Sequence, residues 1–144
     1  MPRRTLALAT AALIVAACGA KSIFVHTEMV SPSDPEKMLS CTKSQYDSMG
    51  YKVSRYDQDE RRLEGKKIRR DIRRSEPNFY RAYELIETQI TPDASGSTKL
   101  TLAGHSFFDL RTYQGPTDQE QPASDTVKAD LARLAERCGT TQLY

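Results

Sequence analysis

Two segments of the chain carry apolar residues at helical spacing. The first begins at Asp34, a good helix-capping residue, places Pro35 at the first helical position, and ends at Gly50. Its single apolar stripe has spacings of three and four and consists of Met38, Cys41, Gln45 or Tyr46, and Met49. The second begins at Ser124 and ends at Gly139, with an apolar stripe of Val127, Leu131, Leu134 and Cys138. The pattern therefore predicts one helix near each end of a domain.

Between these helices, apolar and polar residues alternate as they do in strands. The alternation predicts four strands, at residues 51–56, 62–68, 79–91 and 99–110. We expect Gly65 to mark a bulge and Gly104 to bend the last strand. Residues 69–78 and 113–124 have the charged or polar composition of loops.

The order helix, four strands, helix predicts an α+β domain over residues 34–144. Consecutive hairpins make the sheet antiparallel, with about four strands. Because each helix has one apolar stripe, we expect both helices to pack on one face of the sheet in a two-layer arrangement.

The N-terminal segment has a different pattern. Arg3 and Arg4 precede an apolar run over residues 6–17 that only Thr10 interrupts. A run of about 12 residues is too short to span a bilayer, but a positive start followed by a short apolar stretch is typical of a secretory signal peptide.

The residues Val15-Ala16-Ala17-Cys18 resemble a bacterial lipobox. The resemblance implies that residues 1–17 are removed and that Cys18 receives a diacylglyceryl group, usually with a further fatty acid such as palmitate on its amino group. The alternative is an ordinary signal peptide that contains a cysteine and is cut elsewhere. Residue 19 is glycine and not the aspartate of inner-membrane retention signals, which points to the outer membrane. Residues 18–33 would then be the lipidated cysteine and a tether, in which Ile23, Phe24 and Val25 either pack on the domain or form a short edge strand.

Composition limits the domain count and the class of partner. The chain has 144 residues with 21 basic and 19 acidic side chains. Loss of Arg3 and Arg4 with the signal leaves the remaining chain with no net charge, and its length suits one domain. A chain without net positive charge is not typical of a nucleic-acid-binding protein.

Three cysteines are present, and lipidation of Cys18 would leave Cys41 and Cys138. An even pair in an exported protein is a disulfide candidate. Both lie on apolar helical stripes, so the alternative is a pair of buried thiols.

The sequence contains no recognised catalytic, metal-binding or cofactor-binding motif. His26 and His105 stand alone, without HExxH, CxxC, P-loop, GxGxxG or GxSxG spacing. We therefore expect no catalytic residues, no metal, no cofactor and no enzymatic activity.

The most unusual stretch is RRLEGKKIRRDIRR, residues 61–74, with eight basic and two acidic residues. Beside a membrane anchor it could bind anionic headgroups or an acidic partner. The candidate residues are Arg61, Arg62, Lys66, Lys67, Arg69, Arg70, Arg73 and Arg74. The competing interpretation is a charged hairpin edge and loop that prevents edge-to-edge pairing.

Together these features predict a membrane-anchored envelope lipoprotein that faces the periplasm and acts as a non-enzymatic binding or assembly module. Its partner would be an envelope protein or an anionic lipid. The outline resembles the small helix-plus-sheet domains of outer-membrane assembly lipoproteins, a likeness of fold that does not carry function. The alternative function is a carrier of a lipid or small apolar ligand held between sheet and helices.

Overall fold

The computed structural model describes residues 23–139, so the predicted signal peptide, residues 1–17, and Cys18 lie outside the described part of the chain. Six strands and two helices form an α+β fold, which confirms the predicted class. The elements are β1 (Val25–Ser31), α1 (Pro35–Met49), β2 (Lys52–Asp57), β3 (Arg62–Arg69), β4 (Phe79–Pro92), β5 (Thr98–Thr112), β6 (Gly115–Gln121) and α2 (Asp125–Gly139). Among residues 23–139, no helix has the length and apolar character needed to cross a membrane.

All neighbouring strands of the sheet are antiparallel, in the order β1-β5-β4-β3-β2. The long strand β5 has two partners on one side, because β1 pairs with residues 98–104 and β6 pairs with residues 106–112. The two edges of the sheet are therefore β2 on one side and the pair β1 and β6 on the other.

The prediction of about four strands was wrong, because the sheet has six. The first additional strand, β1, lies inside the segment that we assigned to the tether, residues 18–33. The second, β6, lies inside the segment that we read as a loop, residues 113–124. Its sequence GPTDQEQ has no apolar alternation, so only its pairing with β5 identifies it as a strand.

Both glycines expected to distort strands lie beneath helix side chains. The pairing of β2 with β3 is irregular between Val53, the partner of Gly65, and Arg55, while the register of β3 against β4 runs without interruption past Gly65. A Cβ on Gly65 would lie 2.6 Å from the Tyr46 ring, and one on Gly104 would lie 3.0 Å from Val127. Each glycine thus allows a helix to approach the sheet closely.

The helix ends match the sequence signals. The Asp34 carboxylate accepts hydrogen bonds from the first-turn N–H groups, and Gly50 ends α1 with a left-handed φ of 83°. Ser124 Oγ accepts a hydrogen bond of 3.1 Å from Val127 N at the start of α2. The core contains α1 and α2 side chains together with those of the central strands, and its fully buried members include Met38, Tyr46, Leu63, Ile86, Leu102 and Leu131.

A disulfide joins the two helices. Cys41 on α1 and Cys138 on α2 are bridged, with their Cα atoms 5.7 Å apart and a sequence separation of 97. The predicted pairing is confirmed, and it closes a covalent loop around most of the domain.

Candidate functional site: an arginine-lined groove

An open groove of about 520 Å³ lies where β3 leaves the sheet and β4 enters it. It is bounded by the last residues of β3, the connecting loop and the first residues of β4. Five arginines and four apolar or aromatic residues line it, namely Ile68, Arg69, Arg70, Ile72, Arg73, Arg74, Phe79, Tyr80 and Arg81. No carboxylate residue is among them, so the lining residues themselves carry positive charges only.

Arg69 has two carboxylate partners inside the protein. Its guanidinium contacts Asp71 at 2.6 Å and Glu84 at 2.7 Å, and its side chain is only 13% exposed. Hydrogen bonds from Arg69 lower the pKa of Asp71 to about 2, and the same bonds raise the pKa of Arg69. Arg69 is thus a structural member of the groove wall.

Two further arginines also have carboxylate partners. Arg74 Nε lies 2.9 Å from both carboxylate oxygens of Glu76. Arg81 Nε donates a hydrogen bond of 3.0 Å to Asp109, which is itself buried. Their charges are therefore partly balanced before any ligand arrives.

Arg70 and Arg73 differ from the other three. Both are exposed, and within residues 23–139 neither forms an ion pair or a side-chain hydrogen bond. Because guanidinium groups bind carboxylates and phosphates through two parallel hydrogen bonds, these two side chains are the best placed in the groove to hold an anion.

The groove also has an apolar surface. Ile68 is 39% exposed and Tyr80 is 56% exposed, values that are high for large apolar side chains in a folded domain. Tyr80 lies at the irregularity in pairing between Phe79 and Arg81. The guanidinium carbons of Arg81 and Arg111 lie 5.2 and 4.3 Å from the Tyr80 ring centroid, within cation–π range.

Beneath the groove, Glu84 connects the sheet to the start of α2. Its carboxylate accepts hydrogen bonds from Ser106 Oγ and Ser124 Oγ in addition to Arg69, and its side chain is 2% exposed. Ser124 is also the cap of α2. Arg69 and Glu84 together therefore connect the wall of the groove to the start of α2.

A second buried ion pair lies next to it. Lys67 Nζ contacts Asp130 Oδ2 at 2.8 Å, and the Tyr51 hydroxyl donates a hydrogen bond of 3.0 Å to the same oxygen. Burial, and then the negative charge of Asp130, raise the pKa of Tyr51. Lys67 therefore already has a carboxylate partner within the protein.

Only four of the eight basic residues predicted as a surface-binding set line the groove. Arg69, Arg70, Arg73 and Arg74 line the groove, whereas the other four lie along or just before β3. Arg61 contacts Glu36 at 3.1 Å, Arg62 lies 4.0 Å from Glu60, Lys66 lies 3.7 Å from the Tyr83 ring centroid, and Lys67 contacts Asp130. The competing interpretation, protection of a sheet edge, was wrong for β3, because β3 is hydrogen-bonded to β2 and β4 on its two sides.

Sequence reasoning missed the β4 residues of the groove. The sequence pattern predicts only that a strand begins after the loop, at Phe79, Tyr80 and Arg81. The order of the predicted strands contains a usable signal, because antiparallel pairing of β3 with β4 brings the residues on either side of the loop together.

The histidines form no metal site in the described residues. His105 Nδ1 lies 2.6 Å from Glu120, its Nε2 lies 3.8 Å from Glu87, and its ring stacks on Phe24. His26 lies 3.9 Å from Glu28 on β1. Within residues 23–139 no group of three metal-ligating side chains converges.

No protein-family model matches the chain, and a search of curated proteins returned no match.

Proposed function

We propose that this protein is a non-enzymatic binding module of the bacterial envelope, anchored to the outer membrane through a lipid on Cys18 and facing the periplasm. Its arginine-lined groove binds an anionic group presented by the membrane or by an envelope protein at the membrane surface. The observation that carries this proposal is the pair of exposed arginines, Arg70 and Arg73, in a groove without a lining carboxylate.

The position of the anchor supports a role at a surface. Ile23 lies five positions after Cys18, and a fully extended chain over that interval reaches about 17 Å. The domain would therefore remain close to the headgroups. Each basic residue near an anionic surface contributes about 1 kcal/mol of attraction, acting within a Debye length of about 8 Å.

The proposal includes a two-layer arrangement with both helices on one face of the sheet. Gly65 and Gly104 are both cross-strand partners of Ile86, and they lie beneath side chains of α1 and α2 respectively. Adjacent cross-strand partners point their side chains to the same face, which supports a common helical layer.

The same contacts argue against the alternative of an apolar ligand held between sheet and helices. Leu63, Ile86 and Leu102 are 0% exposed in that layer. A ligand there would have to displace these side chains, whereas the arginine-lined groove is already open.

The test is binding of the domain, starting at Lys21 and therefore without a lipid, to vesicles of anionic or neutral phospholipid. We expect binding to anionic vesicles at low salt, weakening as salt is raised, and none to neutral vesicles. The double variant Arg70→Gln/Arg73→Gln should bind at least about tenfold more weakly, since two cations each contribute about 1 kcal/mol.

A matched control removes two exposed arginines elsewhere, Arg55 on β2 and Arg133 on α2. Arg55→Gln/Arg133→Gln has the same net charge as the groove variant and should retain most of the binding. If the two double variants bind equally, only net charge matters and the groove is not the site. If the wild-type domain ignores anionic vesicles even at low salt, the proposed attraction to anionic lipid is wrong.

A further inference from the structure

Strand β2 leaves one edge of the sheet open. It is the last strand in the sheet order and pairs with β3 on one side only. Five of its six residues are exposed, including Val53 at 45% and Tyr56 at 39%. The backbone groups along its outer side have no partner strand among residues 23–139, so they form a template for another strand.

The irregularity in β2 sorts its side chains by chemistry. Val53 pairs with Gly65 and Tyr56 pairs with Leu63, and since those two β3 residues are two positions apart, both apolar side chains lie on one face. Lys52 pairs with Lys66 and Asp57 pairs with Arg62. Since Lys66 and Arg62 are four positions apart on β3, Lys52 and Asp57 both lie on the other face, at opposite ends of β2.

Four of the six residues of β2 are complementary in a two-fold pairing of two copies, and the other two, Ser54 and Arg55, lie at the axis. When β2 is placed antiparallel to a second copy about a two-fold axis between Ser54 and Arg55, each Val53 lies opposite Tyr56 and each Lys52 lies opposite Asp57. Both kinds of pair have matching faces, and apolar and opposite-charge pairs across strands each stabilise a sheet by about 0.2–1 kcal/mol.

The strands at the other edge lack this property. The same symmetric pairing of β1 would place Glu28 opposite Glu28, and that of β6 would place Asp118 opposite Asp118. Like charges directly opposite each other are unfavourable, and Pro116 in β6 cannot donate a backbone hydrogen bond.

We propose that β2 pairs with β2 of a second copy, forming a two-fold symmetric dimer with one continuous sheet of twelve strands. The partner is a second copy because the complementarity of Lys52 with Asp57 and of Val53 with Tyr56 is internal to one six-residue strand. Such a short interface is weak in dilute solution, and confinement of both copies to one membrane would raise their effective concentration.

Paired cysteines test the register directly in the full chain, in the membranes of the cells that make it. Chains carrying Val53→Cys and chains carrying Tyr56→Cys, expressed together and oxidised, should yield disulfide-linked dimers. Either variant alone places its cysteines three residues out of register and should yield few. A Val30→Cys chain, which has an exposed cysteine on β1, measures random collision.

Charge exchange provides the second measurement in the same cysteine pair. Lys52→Asp on both chains sets Asp opposite Asp and should lower the linked fraction by about tenfold. Lys52→Asp on one chain with Asp57→Lys on the other restores opposite charges and should restore the dimer. Because neither substitution is reversed in the mixture, a loss caused only by misfolding would not be rescued.

One outcome overturns the dimer, and a second overturns only the pairing of charges within it. Cross-linking that is equal for the mixed pair, the single variants and Val30→Cys would show collision without register. Register-specific linking that ignores the charge exchange would remove the role of Lys52 and Asp57. In the first case, the bulge and charges of β2 serve to keep the edge monomeric.

Discussion

At the scale of single residues, the interior of this protein is unusual for its ionised side chains. Glu84 and Asp130 lie in the layer between sheet and α2, at 1% and 7% exposure, and each has a basic partner from β3. Buried charges are tolerated only when they are paired and hydrogen-bonded, and Glu84 has three such partners. Two basic residues of β3, Lys67 and Arg69, thus neutralise buried carboxylates.

Replacing Glu84 tests this assignment. Glu84→Gln keeps the shape of the side chain but removes the charge that faces Arg69, and we expect unfolding to become easier by about 2–4 kcal/mol. Urea denaturation provides the measurement. The control is Glu87→Gln on the same strand, where the side chain is 48% exposed and the loss should be about 0.5 kcal/mol or less. Equal losses for the two variants would contradict the structural role of Glu84.

The buried tyrosines predict a loss of stability in alkali. Burial raises the pKa of Tyr46 and Tyr51, and Asp130 raises that of Tyr51 further. A raised folded-state pKa gives stability that is complete below the unfolded value of about 10 and is lost as the pH rises above it. We therefore expect the free energy of unfolding to be constant from pH 8 to about 9.5 and to fall above pH 10.

Urea denaturation at each pH measures the free energy of unfolding, and phenolate absorbance at 295 nm measures tyrosine ionisation in the same samples. Ionisation of Tyr46 and Tyr51 should coincide with unfolding. A free energy of unfolding that is the same at pH 9 and pH 11 would show that these hydroxyls ionise without cost to the fold.

At the scale of elements, the sequence predicts the helices better than the sheet. Both helices have caps and apolar stripes, which are local signals, and both lie where the pattern put them. Strand β6 has no such signal, since GPTDQEQ is a strand only because β5 is long enough to pair with it. Strand β1 does alternate, but its position after a signal segment favoured the interpretation as a tether.

The groove residues also fall into two groups, those that the sequence predicts and those that only the fold brings together. Arg70 and Arg73 belong to a charge run that is visible in the sequence. Which members of that run are exposed could not be predicted, because Lys67 and Arg69 take their partners from α2 and β4, far away in sequence. Tyr80 and Arg81 join the groove through strand pairing, which is also a non-local property.

The disulfide between α1 and α2 leads to a prediction about stability. Removing it in a Cys41→Ala/Cys138→Ala variant should lower the free energy of unfolding by about 4–5 kcal/mol in the chain-entropy model, given the 97-residue separation. The measurement is urea denaturation beside wild type, with non-reducing mass spectrometry of wild type to recover the joined peptides. A loss below about 1 kcal/mol would show that packing of the helices already determines their positions.

At the scale of the whole molecule, the proposed attachment to the membrane depends on Cys18, which lies outside the described residues. Cys18→Ser should leave a longer precursor without lipid, because the lipobox cut follows acylation. Intact-mass measurement and partitioning into detergent will detect both changes. Alanine at Gly19 is the control and should leave processing intact. An unchanged mature mass in Cys18→Ser would favour the ordinary signal peptide.

The disulfide also divides the molecule under mechanical load. The covalent loop from Cys41 to Cys138 encloses β2 to β6, while β1 lies before it and closest to the proposed anchor. A pull through residue 23 would act first on the hydrogen bond from Ala123 N to Ile23 O and then on the pairing of Val25 with Gly104. These contacts would break one after another, starting at residue 23, while the part of the domain inside the disulfide loop stayed folded. The seven residues of β1 would then add to the length of the tether between the anchor and the domain before any force reached the arginine-lined groove.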